Sequence, residues 1–196
     1  MREYYEQRAP EYDDWWLGTG LFATRDRPGW QEDVAALQTA LAALPPARTL
    51  DVACGTGFLT RQLPGELTGL DQSAGMLEIA AARIPRATFV QGDALDPSFR
   101  PGAFERVNAS HFYGHLLPEQ RGPFLDTARR LADELVIVDS ALRPGGEAEA
   151  WQERELTDGS RHRVYKRWFT AEGLAAELGG GEPVHAGPWF VAVRSG

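Results

Sequence analysis

The segment from Leu50 to Thr60 constrains the fold of this chain more than any other. It opens with the short apolar run Thr49–Val52, which predicts a β-strand. Small residues then crowd the next five positions: Ala53, Cys54, Gly55 and Gly57. Because they leave the backbone open to close approach, we expect a ligand to bind against this turn. A short helix from about Phe58 to about Leu63 would point its free N–H groups at that ligand, as in the nucleotide cradles of parallel sheets.

Acidic residues stand at the ends of three successive predicted strands. Asp71 ends the run Leu67–Asp71, and Asp93 follows the run Ala87–Gly92. We expect the Asp71 carboxylate to accept hydrogen bonds from ribose hydroxyls and Asp93 to accept from an exocyclic amine. Asp51 precedes the turn, where it can reach the amine of a ligand. These acids are more specific than the glycines, which lack the third glycine of the G-x-G-x-x-G dinucleotide pattern.

The chain resembles the class I S-adenosylmethionine-dependent methyltransferases, small-molecule type, over nearly its whole length. The resemblance rests on Leu50–Thr60, Gly69–Ser73 with Met76–Leu77, Gln91–Ala94 and Leu142–Gly146. It implies an α/β fold with a Rossmann-like, doubly wound, mainly parallel seven-stranded sheet and an antiparallel C-terminal edge strand. It also implies S-adenosyl-L-methionine (SAM) as cofactor and S-adenosyl-L-homocysteine (SAH) as product. The family's first glycine is Ala53 here, and alanine still meets the need for small bulk.

The turn, the strand ends and the resemblance together predict a set of cofactor-binding residues. They are Tyr12, Asp51, Ala53, Cys54, Gly55, Gly57, Asp71, Gln72, Met76, Gly92, Asp93, Ala94 and Ser110. Two of them have an ordinary structural alternative. Tyr12 belongs to an aromatic N-terminal segment that either covers the cofactor as a lid or simply packs on the core. Met76 packs either on the adenine ring or within the core, as methionine on an apolar helix face usually does.

His111 is the candidate catalytic residue. The predicted fourth strand, Phe104–Ser110, delivers it to the crevice at the carboxyl ends of the strands. An imidazole with a pKa near neutrality suits a general base that takes or holds the acceptor's proton. The alternative is that His111 only caps a loop, since the sequence shows no partner for it. We interpret His115 as mainly structural, and we expect Asp139 to accept backbone hydrogen bonds at the end of the fifth strand.

Composition excludes several classes of function. The net charge of −8 disfavours a nucleic-acid partner, and no apolar run is long enough to cross a membrane. One cysteine and no signal peptide favour a reducing cytoplasm. Four scattered histidines lack metal-ligand spacing, so we expect no metal. Abundant Arg, Ala, Gly and Pro are typical of a high-GC bacterial genome.

The length of 196 residues predicts a single domain with four parts. Residues 1–44 would form a helical lid and first helix, and residues 45–146 the cofactor-binding core. Residues 147–169 would form a hairpin insert near the acceptor site, because Asp158-Gly159 separates two alternating segments. Residues 170–196 would supply the last helix and the edge strands.

The second arm of this hairpin is basic between Arg161 and Arg167. We favour a solvated edge strand whose charges prevent aggregation, although a basic rim for an acidic small molecule is the alternative. Alternation places His162, Val164, Lys166 and Trp168 on one face of this arm.

These patterns predict methyl transfer from SAM to a small-molecule acceptor by in-line displacement. An alternative is a protein that binds SAM or SAH without transferring methyl, as a sensor or another catalyst. An NAD oxidoreductase is disfavoured because the third glycine is missing and the chain is too short for a substrate domain.

Overall fold

The computed structural model describes residues 2–196, and a seven-stranded sheet is its centre. The strands of this sheet are β1 (Ala47–Val52), β2 (Gly65–Asp71), β3 (Thr88–Gln91), β4 (Arg106–Ser110), β5 (Glu134–Ser140), β8 (Glu182–Ala186) and β9 (Phe190–Ser195). A separate hairpin consists of β6 (Glu149–Glu155) and β7 (Arg161–Arg167). The helices are α1 (Arg2–Arg8), α2 (Asp14–Leu17), α3 (Trp30–Ala42), α4 (Ala74–Arg83), α5 (Pro118–Leu131) and α6 (Ala171–Glu177). Within residues 2–196, no helix combines the length and apolar character needed to span a membrane.

The order of strands confirms the predicted fold class. It runs β3-β2-β1-β4-β5-β9-β8, with parallel pairing from β3 to β5. The last strand, β9, runs antiparallel and lies between β5 and the edge strand β8. Both β2 and β4 pair with β1, so the order in which the strands are added to the sheet reverses at β1. A crevice opens at such a switch point, beyond the carboxyl ends of the strands.

The sheet is covered on both faces, which agrees with the continuous apolar run from Leu135 to Val138 in β5. Leu135 and Ile137 pack into one hydrophobic cluster, together with α5 and α6. Val136 and Val138 point the other way and pack into a second cluster that includes α3. Alternate residues of this central strand are therefore buried on opposite faces, which is the pattern of a doubly wound sheet.

The short helix that we predicted from about Phe58 to about Leu63 is present only in part. The segment after the turn forms only a short 3-10 helix, Thr60–Gln62. Pro64 explains this, because the residue before a proline is driven into extended backbone, and Leu63 has φ −68° and ψ 129°. No α-helix therefore begins at this turn, and we expect ligand binding there to depend on the turn itself and on side chains.

The N-terminal segment joins the turn to the hairpin. Asp13 accepts a hydrogen bond from Thr56 Oγ1 at 2.6 Å and also pairs with Arg83 of α4. Two residues earlier, Glu11 Oε2 accepts from the backbone N–H of Thr157 at the tip of the hairpin, at 3.0 Å. The segment thus bridges the turn after β1 and the tip of the hairpin.

Candidate functional site

Two cavities meet at the carboxyl ends of the strands. The first, which we call the cradle cavity, has a volume of about 220 Å³ and lies against the ends of β1, β2 and β3. The second, which we call the arginine cavity, has a volume of about 680 Å³ and lies between the N-terminal segment and the hairpin. Four residues line both of them: Tyr5, Tyr12, His111 and His115. The two cavities are therefore adjacent, with these four side chains at their junction.

The turn after β1 shapes the floor of the cradle cavity. Gly55 has φ 56°, and a Cβ atom there would lie 3.6 Å from the Tyr12 ring, so the turn and the ring are in close contact. Ala53 has φ 53°, in the left-handed region that favours glycine. The glycine that the family places here is thus favoured by backbone conformation as well as by size.

Asp71 connects two elements of the cradle. Its Oδ2 accepts from the backbone N–H of Gly55 and its Oδ1 from that of Ser73, each at 2.9 Å. Burial raises the pKa of this carboxyl, and the backbone hydrogen bonds oppose that shift. Asp93 is exposed, and its Oδ1 accepts from the backbone N–H of Leu95 at 2.9 Å. Each carboxylate lines the cavity and keeps lone pairs for a ligand.

Most of the predicted cofactor-binding residues line the cradle cavity. They are Tyr12, Ala53, Gly55, Asp71, Gln72, Met76, Gly92, Asp93 and Ala94. Four others do not line either cavity: Asp51, Cys54, Gly57 and Ser110. For these four, direct contact with a cofactor stays a prediction.

Three of these residues, Asp51, Cys54 and Gly57, have structural roles in or next to the turn. Asp51 is buried and accepts hydrogen bonds from Thr60 Oγ1 and, at 2.6 Å, from Asn108 Nδ2. Burial raises the pKa of Asp51 to about 6, against the effect of those hydrogen bonds. Burial also raises the pKa of the Cys54 thiol, which argues against a nucleophilic thiolate. A Cβ atom on Gly57 would lie 3.1 Å from Ile84, so this glycine lets the turn pack on α4.

His111 stands at the junction of the two cavities in an apolar setting. Its ring lies edge-on to the rings of Trp15, Trp16 and Phe190. Its Nε2 is buried without a hydrogen-bond partner among the described residues, and its Nδ1 lies 3.9 Å from Asp139 Oδ1. Burial lowers the pKa of His111 to about 3, although the Asp139 charge opposes this. The expectation of a pKa near neutrality is therefore wrong, because the apolar surroundings disfavour the charged imidazolium.

The other histidine at the junction is held in place by the hairpin. His115 Nδ1 lies 2.6 Å from the carbonyl oxygen of Tyr165, so this nitrogen carries the proton and donates it. Burial lowers the pKa of His115 well below its usual value. The contact fixes the tautomer and supports the structural interpretation of His115.

The inner face of β7 is not the solvated edge that we favoured. Lys166 is buried, and its Nζ pairs with Asp139 Oδ1 at the end of β5. Asp139 also accepts from the backbone N–H groups of Gly114, at 2.7 Å, and Ser140, at 2.8 Å, as predicted. A buried carboxylate needs a counter-charge, which explains why a lysine lies on the inward side of this strand.

Two cationic residues of the arginine cavity were not predicted from the sequence. Arg8 and Arg154 line it, yet nothing in the sequence assigned them to a site. In the structure Arg154 lies opposite His162, on the same face of the hairpin as Lys166. The alternation of residues in the two arms of the predicted hairpin could therefore have indicated the position of Arg154. For Arg8 we find no comparable signal.

Comparison with known proteins relates the chain to methyltransferases. The family model described as a methyltransferase domain matches residues 49–134. The demethylmenaquinone methyltransferase of Thermotoga maritima is 33% identical over 97 residues, which are 47% of this chain and 41% of that protein. The dTDP-3-amino-3,4,6-trideoxy-alpha-D-glucopyranose N,N-dimethyltransferase of Streptomyces venezuelae is 33% identical over 153 residues, which are 73% of this chain and 56% of that protein. The chain thus covers less than two thirds of these relatives.

A solved structure is similar over more of its length. The structure of the DhpI–SAH complex has 25% sequence identity and a TM-score of 0.74, and the match covers 98% of this chain and 92% of that one. The similarity therefore includes the N-terminal segment and the hairpin as well as the central sheet.

Proposed function

The chain belongs to the class I SAM-dependent methyltransferase family, and from this premise we propose that it transfers the methyl group of SAM to a small-molecule acceptor. The observation that carries the proposal is the junction at Tyr12 and His111, where the two cavities meet. Methyl transfer requires two molecules in line and in contact, and proximity of this kind supplies a large part of such a rate enhancement. The named relatives act on a quinone and on a sugar derivative, which supports a small acceptor.

The residues of the cradle cavity fit SAM. Asp71 and Asp93 offer carboxylate oxygens that would accept from the ribose hydroxyls and from the adenine amine. Met76 and Ala94 provide apolar surface for the adenine ring, and Gly55 leaves room for close approach of the backbone. Bound SAM supplies an electrophilic methyl group on a sulfonium. The chain then has to bind, orient and exclude water, for which the N-terminal segment is suitably placed.

We assign His111 a hydrogen-bonding role towards the acceptor rather than the role of a proton acceptor near pH 7. His111 lines both cavities, between which an acceptor atom would lie, and its Nε2 is buried without a hydrogen-bond partner among the described residues. With a pKa of about 3, the neutral imidazole has little affinity for a proton. Catalysis would thus depend mainly on alignment and on an acceptor from which the protein does not have to remove a proton.

Isothermal titration with SAM, SAH and NAD tests the premise. We expect saturable binding of SAM and SAH and none of NAD. The second measurement is transfer of isotope-labelled methyl from SAM to a pool of small metabolites, with Asp71→Ala as the control variant. Binding without transfer to any acceptor would favour the alternative of a non-methylating SAM-binding or SAH-binding protein. Binding of NAD alone would contradict both.

A further inference from the structure

The arginine cavity carries an excess of positive charge, although the protein as a whole is acidic. The net charge of the chain is −8. The cavity is nonetheless lined by six cationic side chains: Arg8, Arg25, Arg27, Arg143, Arg154 and Lys166. We propose, on the basis of the methyl transfer proposed above, that the acceptor is a small molecule with an oxyanion group, either phosphoryl or carboxylate, which the five arginines among these cations bind.

The charges of the five arginines are not neutralised by the protein. Within the described part of the chain, none of the five forms an ion pair with a carboxylate, whereas Arg83, Arg106, Arg167 and Arg194 do. Arg154 has only a hydrogen bond to Gln152 Oε1, at 3.3 Å. Unpaired guanidinium groups that converge on one space are suited to bind carboxylate or phosphoryl oxygens.

The acidic residues on the wall do not offset this charge. Glu153 is exposed and alternates with the inward-facing Gln152 and Arg154. Glu155 is exposed too, and it pairs with Arg161. Burial, together with the charge of Arg25, lowers the pKa of Arg27, as expected where cations lie close to each other without a counter-ion.

Aromatic rings hold several of these cations in position. The guanidinium of Arg27 lies 3.9 Å from the ring centroid of Trp30, and that of Arg143 lies 4.5 Å from that of Trp189. The guanidinium of Arg8 lies 4.9 Å from the ring of Tyr12, at the junction with the cradle cavity. Cation–π contacts restrict the side chains without neutralising them, so their charge stays available to a ligand.

The size and position of the cavity favour a small anion over a polyanion. A volume of about 680 Å³ falls within the usual range for small-molecule sites. A nucleic acid would also meet the acidic remainder of the surface. Because the cations surround a space that opens onto His111, an anion bound there would be held next to the methyl group of SAM.

The first experiment measures binding of an anion to the SAH complex of the protein. Inorganic phosphate and succinate are titrated at constant ionic strength, and tryptophan fluorescence is the signal, because Trp15, Trp30 and Trp189 line the cavity. We expect saturable binding that is at least about fivefold weaker in Arg154→Gln. The control is Arg163→Gln, which changes an exposed arginine on the outer face of the same hairpin, and its affinity should stay within about twofold of the parent.

The outcomes separate cleanly. Tighter binding of phosphate supports a phosphoryl group, and tighter binding of succinate supports a carboxylate. No saturable binding of either anion, or equal affinity in the parent and Arg154→Gln, would overturn the inference. If Arg154→Gln fails to fold, Arg143→Gln takes its place, since Arg143 is exposed in the loop after β5.

The second experiment compares methyl transfer among acceptors that share a carbon skeleton and differ in one group: phosphonate, carboxylate or neutral amide. We expect transfer to an anionic compound, with a KM that rises in Arg154→Gln. Transfer to neutral compounds without preference would refute the anionic acceptor and leave methyl transfer intact. A protein that binds neither SAM nor SAH would instead refute the proposed function. If no compound is methylated, the anion titration alone decides whether the cavity binds an anionic molecule.

Discussion

Lys166 Nζ donates to Asp139 Oδ1, so an ion pair ties the hairpin to the end of β5. The side chains of both residues are almost fully buried. Burial alone would raise the pKa of Asp139, but the Lys166 charge holds it below its usual value. The pair therefore depends on both partners, since either charge alone would be left buried without compensation.

Lys166→Met should destabilise the protein by about 3–5 kcal/mol, because it leaves the Asp139 carboxylate buried without its cation. The double variant Lys166→Met/Asp139→Asn should recover much of this loss, since no uncompensated charge then remains. Urea unfolding followed by circular dichroism measures both. Equal losses in the single and double variants would contradict the explanation by charge.

Ala53→Gly should stabilise the protein by about 0.5 kcal/mol. The left-handed backbone at Ala53 costs about 1–2 kcal/mol for a residue with a Cβ atom, and part of the gain is offset by the greater unfolded-state entropy of glycine. The control is Ala109→Gly, in the buried part of β4, which should destabilise. Thermal unfolding of the three proteins is the measurement, and a lower melting temperature for Ala53→Gly would argue against backbone strain at this turn.

Asp71→Ala should weaken SAM binding at least about tenfold, because a carboxylate that accepts ribose hydroxyls makes charge-assisted hydrogen bonds. The same carboxylate holds Gly55 and Ser73, so a part of the effect will come from the shape of the turn. Asp96→Ala is a suitable control, since Asp96 is exposed and lines neither cavity. Titration calorimetry gives both affinities, and an unchanged affinity in Asp71→Ala would show that Asp71 does not contribute to SAM binding.

The buried His111 should make folding stability depend on pH. Its pKa is about 3 in the folded state and about 6.5 when unfolded, so the unfolded chain binds more protons between these values. Stability should therefore fall as the pH drops from about 6.5 towards 3. His111→Asn should flatten this slope, and asparagine tolerates the φ of 54° at this position. Asp51, whose raised pKa acts with the opposite sign, is common to both proteins and cancels in the difference.

The same variant tests the role of His111 in turnover. We expect His111→Asn to lower kcat roughly tenfold or more by loss of alignment, with the SAM affinity nearly unchanged. The parent should show no acidic limb near pH 6.5 from this residue, because the imidazole is already neutral there. A limb near pH 6.5 that vanishes in His111→Asn would restore the general base. Parental kcat in the variant would reduce His111 to a packing residue.

Local patterns in the sequence were enough to predict the sheet and the floor of the site. The apolar runs that end at Asp71 and Asp139 are strands, and the acids lie at their carboxyl ends as expected. The carboxyl ends of adjacent parallel strands meet at one edge of the sheet, so this part of the geometry follows from order along the chain.

Features that depend on contacts distant in sequence could not be predicted in the same way. The hairpin folds back so that Lys166 meets Asp139, and no periodicity within either strand specifies this pairing. The low pKa of His111 depends on rings from residues 15, 16 and 190, which only the folded structure brings together. The short helix predicted before Pro64 is only a 3-10 helix, because the segment between the turn and the proline leaves too few residues for an α-helix.

Lys166 is the single lysine of the chain, and its burial gives the protein an unusual chemical property. Amine-reactive reagents should leave the ε-amine of Lys166 intact in the native protein, because that amine is covered and paired. Modification of Lys166 becomes possible only when the hairpin separates from β5. The rate of ε-amine labelling, read by mass spectrometry, would therefore report how often this part of the protein opens, with no engineered probe.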